Sequence, residues 1–282
     1  MFEDWHTHNR LCRHAEGNIE DYIHSAINKD LKTIGISDHF PYEFYQNFER
    51  IPYQEYSMNL TEIGNYIETV EDLTKKYQQK INIRLSFEVD YILNQEDLLN
   101  TQLNKIKGKL DYILGSLHVL YSENGPWCFD DSRFLKEFDL YESIDDVYLE
   151  YYEMQLKMIE NKNFDFDIVS HLDLPKKFGR LPENKILVQE GVWKVLESIK
   201  KRDLTIEINT SGFRKEIGEQ YPSIDIIYKM YELDIPIVLG SDAHNPEEVA
   251  YMFKDMINIL QDIGYSQLGH FKNRKRCFVD IN

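Results

Sequence analysis

Short apolar runs alternate with longer amphipathic segments along this chain of 282 residues. Short, continuously apolar runs rich in β-branched residues are typical of strands that are buried on both faces of a parallel sheet. Six short runs are rich in β-branched residues, and several of them are continuously apolar; the N-terminal run 1–8 is interpreted as a seventh strand that passes into a loop. The six are 33–37, 81–87, 111–117, 166–170, 204–209 and 235–240.

The segments between these strands carry apolar residues at helical spacing. Repeated alternation of strand and helix implies right-handed βαβ units and a parallel sheet, either closed into a barrel or open. We found no linker-like segment and no repeat, so we predict a single domain over 1–282. The predicted helices include the apolar stripes at 19–27, 60–73 and 148–159 and the segments 183–201, 223–233 and 246–263, the last with Asn245 as N-cap.

Most of the nine histidines come directly after a predicted strand. Because the carboxyl ends of parallel strands converge on one face, we expect these side chains to meet there. Glu88 and Asp242 occupy the same kind of position, whereas His24 and His270 are expected on helices. The converging set is His6, His8, His14, His39, Glu88, His118, His171, Asp242 and His244.

Imidazole and carboxylate ligands without thiolate suit zinc, manganese or iron. Nine such groups are too many for one ion, so we predict two to three divalent ions, zinc foremost and manganese or iron as alternatives. Cys12, Cys128 and Cys277 are scattered without metal or disulfide spacing, which fits a reduced, cytoplasmic setting. The chain shows no signal peptide and no long apolar run, so we expect no membrane partner.

The formal net charge of −17 argues against nucleic acid as a partner, because an acidic surface repels phosphate backbones. Bound cations could still reverse the field locally. The basic stretch 272–276 is interpreted as a solvated turn before a final strand.

The motifs at the strand ends, taken in order, resemble the polymerase and histidinol phosphatase (PHP) superfamily, over Met1 to about Asn245. Within it they are most similar to the stand-alone histidinol-phosphate phosphatases. The resemblance implies a distorted (β/α)7 barrel of the TIM type and a site for three metal ions. The motifs are DWHTH, SDH, FEVD, GSLHV, SHLD and GSDAH.

Matching the family pattern position by position assigns each predicted ligand to one of three ions. His6, His8, Glu88 and Asp242 would hold the first ion. Glu88 would bridge to the second ion, which His118 and His171 complete. The third ion would be held by His14, His39 and His244.

The resemblance implies a metal-dependent phosphomonoesterase that hydrolyses L-histidinol phosphate to L-histidinol and phosphate in histidine biosynthesis. Clustered divalent ions neutralise phosphoryl oxygens and orient an attacking water. Asp242 is the predicted proton donor to the leaving alkoxide, and His39 is placed with it among the catalytic residues. Arg180 and Arg214 follow strand ends, where a guanidinium fork would bind phosphate; otherwise each pairs with a surface acid.

Other interpretations stay open at this point. The chemistry also suits a general small-molecule phosphatase or a PHP-type nuclease, and a non-catalytic metal-binding protein is a third possibility. Oligomeric state is not predicted.

The aromatic segment 40–56 and Trp127 could form a lid or simply pack. Further candidates are Asp38 to orient His39, Ser116 and Asn209 as polar contacts, and Asp130, Asp131 or Glu43 for the substrate's ammonium.

Overall fold

Short parallel strands form the centre of the fold in the computed structural model, which describes residues 2–281. Residues 1 and 282, the ends of the predicted domain, lie outside this range. Each of the seven predicted strands is found, shorter than its apolar run. The strands are β1 Glu3–Asp4, β2 Thr33–Ile36, β3 Asn82–Leu85, β4 Glu88–Asp90, β5 Leu114–Ser116, β6 Val119–Ser122, β7 Gly125–Cys128, β8 Ile168–Val169, β9 Thr205–Asn209, β10 Ile237–Gly240, β11 Gln267–Lys272 and β12 Lys275–Asp280.

The parallel strands are divided between two sheets, in the orders β1-β2-β3 and β10-β9-β8-β5-β4. Isolated parallel bridges join the sheets at both seams, between His39 and Glu88 and between Thr7 and Ala243. The Trp5 amide also donates to the Leu239 carbonyl at 3.0 Å. The result is the predicted α/β architecture, a distorted barrel whose strands do not close into one continuous ladder among the described residues.

The run predicted as the third strand is broken in two, and the break positions a functional side chain. The Ser86 amide still donates to the Ile36 carbonyl at 2.9 Å, in register with β2. Two residues later β4 begins and pairs with β5 instead. Glu88 therefore lies at the seam between the two sheets, where its amide donates to the Ser37 carbonyl at 3.0 Å.

Helices cover the outside of the sheets with the apolar stripes that the periodicity identified. In α1, for example, Ile19, Tyr22, Ile23 and Ala26 are buried. A capping box between Ser143 and Asp146 begins α4. The helices are α1 Ile19–Asn28, α2 Ile63–Tyr77, α3 Glu96–Leu103, α4 Ile144–Glu160, α5 Lys185–Arg202, α6 Ile224–Glu232 and α7 Phe253–Ile263. No helix within 2–281 is long and apolar enough to cross a membrane.

The last predicted helix begins later than its capping signal indicates. Asn245 does accept from the Glu247 amide, but it caps a short 3-10 turn, Pro246–Glu248. Val249 has a ψ of 130° and Met252 has a φ of 58°, and neither value is helical. The backbone therefore leaves the helical region before α7 starts at Phe253. Helix α3 and the hairpin β6–β7 were not predicted.

The hairpin β11–β12 closes the end of the barrel opposite the predicted site. Phe271 joins a small buried cluster with Trp5 and Tyr112. The basic stretch 272–276 forms the hairpin turn before the final strand, as predicted, but Arg274 is ion-paired with Asp165 and Asp167 rather than solvated. The expectation that His270 lies on a helix is wrong: it is in β11, and its ring Nδ1 lies 2.9 Å from Glu3.

Candidate metal centre

All nine predicted ligands meet at the carboxyl ends of the parallel strands. Except for Glu88, which begins β4, each of these side chains follows the end of a strand, where it faces the mouth of the barrel. His6 and His8 are two residues apart in extended backbone and share a face. The nine lie after β1 (His6, His8 and His14), after β2 (His39), at the start of β4 (Glu88), after β5 (His118), after β8 (His171) and after β10 (Asp242 and His244).

The first group of ligand atoms comes from β1, β4 and β10. His6 Nε2 and His8 Nε2 lie 3.0 Å apart. Glu88 Oε2 is 3.3 Å from His6 Nε2 and 3.4 Å from His8 Nε2. Asp242 Oδ1 lies 3.2 Å from His8 Nε2. Four potential ligand atoms therefore converge on one point.

The second group shares Glu88 with the first. His118 Nε2 and His171 Nε2 are 3.1 Å apart. Glu88 Oε1 lies 2.8 Å from His171 Nε2 and 3.7 Å from His118 Nε2. Since Oε2 faces the first group and Oε1 the second, Glu88 is placed to bridge two cations.

The third group lies nearer the surface. His14 Nε2 and His244 Nε2 are 3.0 Å apart. Each of His14, His39 and His244 offers a nitrogen within 4.8 Å of the other two. His39 Nδ1 also lies 3.1 Å from Glu88 Oε2, so this histidine borders the first group as well as the third.

Hydrogen bonds to the other ring nitrogen determine the tautomer of four of these histidines. In each case Nδ1 meets a carboxylate or a backbone carbonyl, which can only accept, so in the neutral ring Nδ1 carries the proton and Nε2 presents a lone pair. The acceptors are Glu207 for His6 at 2.7 Å, Asp90 for His118 at 2.8 Å, the Cys12 carbonyl for His14 at 2.9 Å and the Asp242 carbonyl for His244 at 3.0 Å.

Facing lone pairs at about 3 Å repel each other unless a proton or a metal ion lies between them. The donor set of imidazole nitrogen and carboxylate oxygen is one that zinc, manganese and iron accept. The residues present therefore fit the metal ions that the sequence predicts.

The charges of the buried carboxylates agree with this interpretation. Burial disfavours ionisation of Glu88, but the surrounding imidazoles of His39, His6 and His118 hold its pKa well below its usual range. Asp242 behaves alike: burial opposes its charge, while His6 and His8 lower its pKa well below the ordinary value. Burial lowers the pKa of His39 and His244 well below that of a free imidazole. Burial also opposes the charge of His6 and His8, but Glu207 and Asp242 raise the pKa of these two rings, so a bound ion would displace their protons. Carboxylate and neutral imidazole are the forms that bind metal.

A cavity of about 500 Å³ opens over the three groups. Two lysines, Lys177 and Lys215, lie in its wall. Lys177 Nζ is 3.0 Å from Asp130 Oδ2. Within residues 2–281 no ion pair or hydrogen bond to Lys215 Nζ is found. Partial burial, and then the nearby Lys177 ammonium, lowers the pKa of Lys215. The cavity thus combines a floor of potential metal ligands with a cationic wall.

The chain matches the PHP domain family over residues 4–211. A Deinococcus radiodurans protein named "Probable histidinol-phosphatase" is 30% identical over 274 residues, which cover 96% of this chain and 97% of that protein. The chain belongs to the PHP domain family. The matched range ends before Asp242 and His244, and the fold returns these two residues to the same site.

Solved structures share the fold over nearly the whole chain. The crystal structure of HisK from Listeria monocytogenes gives a TM-score of 0.83 at 28% identity and covers 90% of this chain and 99% of its own. Histidinol phosphate phosphatase from Lactococcus lactis, solved with zinc, L-histidinol and phosphate, gives 0.78 at 19% identity and covers 98% of both chains. The predicted superfamily and the distorted barrel are confirmed.

Three buried carboxylates that we did not predict contact the predicted ligands or their loops. Glu207, in β9, accepts from His6 Nδ1, and Asp90, at the end of β4, accepts from His118 Nδ1. Asp4 accepts from the Ser241 amide at 2.9 Å and ties β1 to the loop of Asp242. A signal for Glu207 was present in the sequence, because a carboxylate interrupts the otherwise apolar run 204–209.

Three polar residues make contacts other than those predicted, which were orientation of His39 for Asp38 and phosphate binding for Ser116 and Asn209. Asp38 accepts from the His39 amide at 2.9 Å, but its carboxylate lies 3.5 Å from His8 Nδ1, so it faces the ring of His8 instead of His39. Ser116 donates to Glu88 at 2.6 Å and Asn209 donates to Asp242 at 3.3 Å. These residues support the ligand carboxylates.

The structure brings neither predicted arginine into the wall of the cavity. The Arg180 guanidinium lies over the Phe138 ring, 4.8 Å from its centre, and 3.5 Å from Asp139. Arg214 donates to the carbonyls of Ser241 at 2.8 Å and Asp242 at 3.1 Å. Arg214 therefore supports the Asp242 loop from behind. The 3-10 turns after β8 and β9 direct neighbouring lysines into the cavity instead, and we missed these.

The aromatic segment 40–56 packs into the core more than it covers the site. Phe40, Tyr42, Tyr45 and Phe48 are buried, although Tyr42 and, at the far end, Tyr56 line the cavity. Trp127 is fully buried, and its ring packs edge-on against Phe138 at 5.0 Å. The packing interpretation accounts for these side chains.

Proposed function

We propose that this chain is a metal-dependent histidinol-phosphatase that hydrolyses L-histidinol phosphate to L-histidinol and phosphate. One combined observation carries the proposal: the chain is similar over 96% of its length to a relative named as a histidinol-phosphatase, and all nine potential metal ligands converge beneath one cavity. The solved Lactococcus lactis structure, of the same fold, was obtained with zinc, L-histidinol and phosphate. This supports zinc as the first metal to test.

We assign the metal ligands as the geometry groups them. His6, His8, Glu88 and Asp242 would hold one ion; Glu88, His118 and His171 a second; and His14, His39 and His244 a third. Bound divalent ions would neutralise the phosphoryl oxygens and lower the pKa of a coordinated water. Phosphate monoesters hydrolyse extremely slowly unaided, so the reaction requires electrostatic help of this kind.

The chain's own residues bind the anion and transfer the proton. Lys177, Lys215 and Arg133 line the cavity, but Arg133 is paired with Glu55 and Asp131. The two lysines would therefore bind the phosphoryl group in place of Arg180 and Arg214. Asp242 is ionised, with Oδ2 accepting from Ser211 at 3.1 Å, so it would first accept the proton that the attacking water loses. It would then return this proton to the leaving alkoxide, which becomes the hydroxyl of histidinol.

The test is a substrate panel on the metal-loaded protein: L-histidinol phosphate, p-nitrophenyl phosphate and a DNA oligonucleotide. We expect a far higher kcat/KM for L-histidinol phosphate than for the aryl phosphate, and no shortening of the DNA. Similar efficiency on all phosphomonoesters would make the protein a general phosphatase, and shortened DNA a nuclease. His171→Ala should abolish turnover, whereas His24→Ala, on the outer helix α1, should not.

A further inference from the structure

L-histidinol phosphate carries an ammonium group on the carbon next to the phosphate-bearing carbon. Any residue that recognises the ammonium must therefore border the phosphoryl site and offer a negatively charged acceptor. This inference rests on the proposed function, and it concerns how the site would distinguish this substrate from other phosphomonoesters. Apart from the assigned metal ligands, two carboxylates line the cavity, Asp130 and Asp131.

Asp131 is fully engaged by its own surroundings. Its Oδ1 accepts from the Arg133 amide at 2.8 Å. Its Oδ2 accepts from the Tyr56 hydroxyl and lies 2.7 Å from Arg133 Nη2. Glu43, the third acid considered from the sequence, accepts from the Leu60 amide and does not line the cavity. Neither Asp131 nor Glu43 has a carboxylate oxygen that lacks a hydrogen-bond partner and also faces the cavity.

Asp130 differs from both. Its Oδ2 pairs with Lys177 Nζ at 3.0 Å, and among residues 2–281 no hydrogen bond to Oδ1 is found. Its side chain is 23% exposed and lines the cavity, and Oδ1 is not buried. Asp130 also lies close to the second ligand group: burial raises its pKa, but Lys177 and then His118 lower it below the ordinary value. An ionised acceptor thus borders the position assigned to the phosphoryl group.

We propose that Asp130 Oδ1 accepts a hydrogen bond from the substrate ammonium while Lys177, paired to Oδ2, faces the phosphoryl group. The Lys177–Asp130 pair then presents a positive and a negative charge side by side, opposite the phosphate and ammonium of the substrate. Complementary charges of this kind fix orientation and select against analogues that lack one of them. Asp130 is thereby a specificity-determining residue for aminoalkyl phosphates.

The experiment compares two substrates on three proteins. The substrates are L-histidinol phosphate and 3-(imidazol-4-yl)propyl phosphate, which differs only in that hydrogen replaces the ammonium group. The proteins are the metal-loaded wild type, Asp130→Asn and the control Asp131→Asn, which changes the neighbouring acid of the same cavity wall. The measured quantity is kcat/KM for L-histidinol phosphate divided by kcat/KM for the analogue. General losses of folding, of metal or of phosphate binding cancel in this ratio.

We expect Asp130→Asn to lower this ratio by about ten- to a hundred-fold, the range for a hydrogen bond between charged groups. Asp131→Asn should leave the ratio unchanged, even if it lowers both kcat/KM values. An unaltered ratio in Asp130→Asn, or an equal fall in Asp131→Asn, overturns the assignment.

A second measurement separates this assignment from the proposed function. Inhibition constants for 2-aminoethyl phosphate and ethyl phosphate are measured against p-nitrophenyl phosphate turnover. Asp130→Asn should weaken the first inhibitor about ten- to a hundred-fold more than the second. This result would support Asp130 as the ammonium site even if L-histidinol phosphate proved a poor substrate, and equal weakening would overturn it.

Discussion

Replacing Glu207 with Gln should weaken metal binding although Glu207 touches no metal in our assignment. Glu207 is fully buried, and its two oxygens have different tasks. Oε1 accepts from His6 Nδ1 at 2.7 Å. Oε2 accepts from the His171 amide at 2.8 Å and from Asn209 Nδ2 at 3.1 Å. One carboxylate therefore orients a ligand of the first group and the backbone of a ligand of the second.

A glutamine has the same shape but cannot serve both sides. If its oxygen faces His6, its NH₂ group faces two N–H donors from His171 and Asn209. If the amide is flipped, the NH₂ group faces His6 Nδ1, and His6 must move its proton to Nε2, the ligand atom. Either arrangement loses a hydrogen bond to a charged acceptor, about 1.5–3 kcal/mol. Loss of such outer partners typically lowers metal affinity about ten- to a hundred-fold.

The assay is metal retention. Wild type and Glu207→Gln are loaded with zinc and dialysed against graded chelator, and the metal per chain is measured by elemental analysis alongside kcat/KM. Glu232→Gln is the control, because Glu232 is exposed on α6 and pairs with Lys229. Equal metal retention by Glu207→Gln and wild type, with unchanged kcat/KM, would refute the reasoning.

Further expectations concern packing and phosphate binding. In Gly240→Ala the new Cβ would lie 1.8 Å from Glu207 Oε1, so we expect this carboxylate to shift and zinc retention to fall. Thermal unfolding should show that the free energy of unfolding falls by about 1–3 kcal/mol. Gly191→Ala, inside α5 with its nearest neighbour at 3.6 Å, should instead stabilise by about 0.5–1 kcal/mol; equal effects would contradict this account. Lys215→Met should lower kcat/KM about ten- to a hundred-fold with metal content unchanged. Arg180→Ala should leave kcat/KM unaltered, and the reverse result would restore Arg180 to the site.

The sequence alone determined the convergence of the histidines and Asp242 because that information is local. A side chain that directly follows a buried parallel strand faces the active end of the barrel, whatever the strand's neighbours are. The apolar runs located the strands, and the histidines after them followed. Glu207 could have been found by the same logic, since a carboxylate inside an apolar strand needs a buried partner.

Only the tertiary structure decided which other side chains reach the cavity. Arg180 and Lys177 lie three residues apart in one segment, and Arg214 and Lys215 are neighbours. Their directions depend on the dihedral angles of irregular 3-10 turns and on what packs against them. Arg180 lies on Phe138, a residue of a distant segment, and Arg214 is drawn to carbonyls after β10.

The division of the barrel into two sheets was also beyond the sequence. The run 81–87 alternates apolar and polar residues without a break, yet the backbone breaks after β3 and changes partner from β2 to β5. Which strand a segment pairs with depends on long-range contacts that its own residues do not encode. That choice of partner places Glu88 at the seam, where its two oxygens face two different groups of histidines.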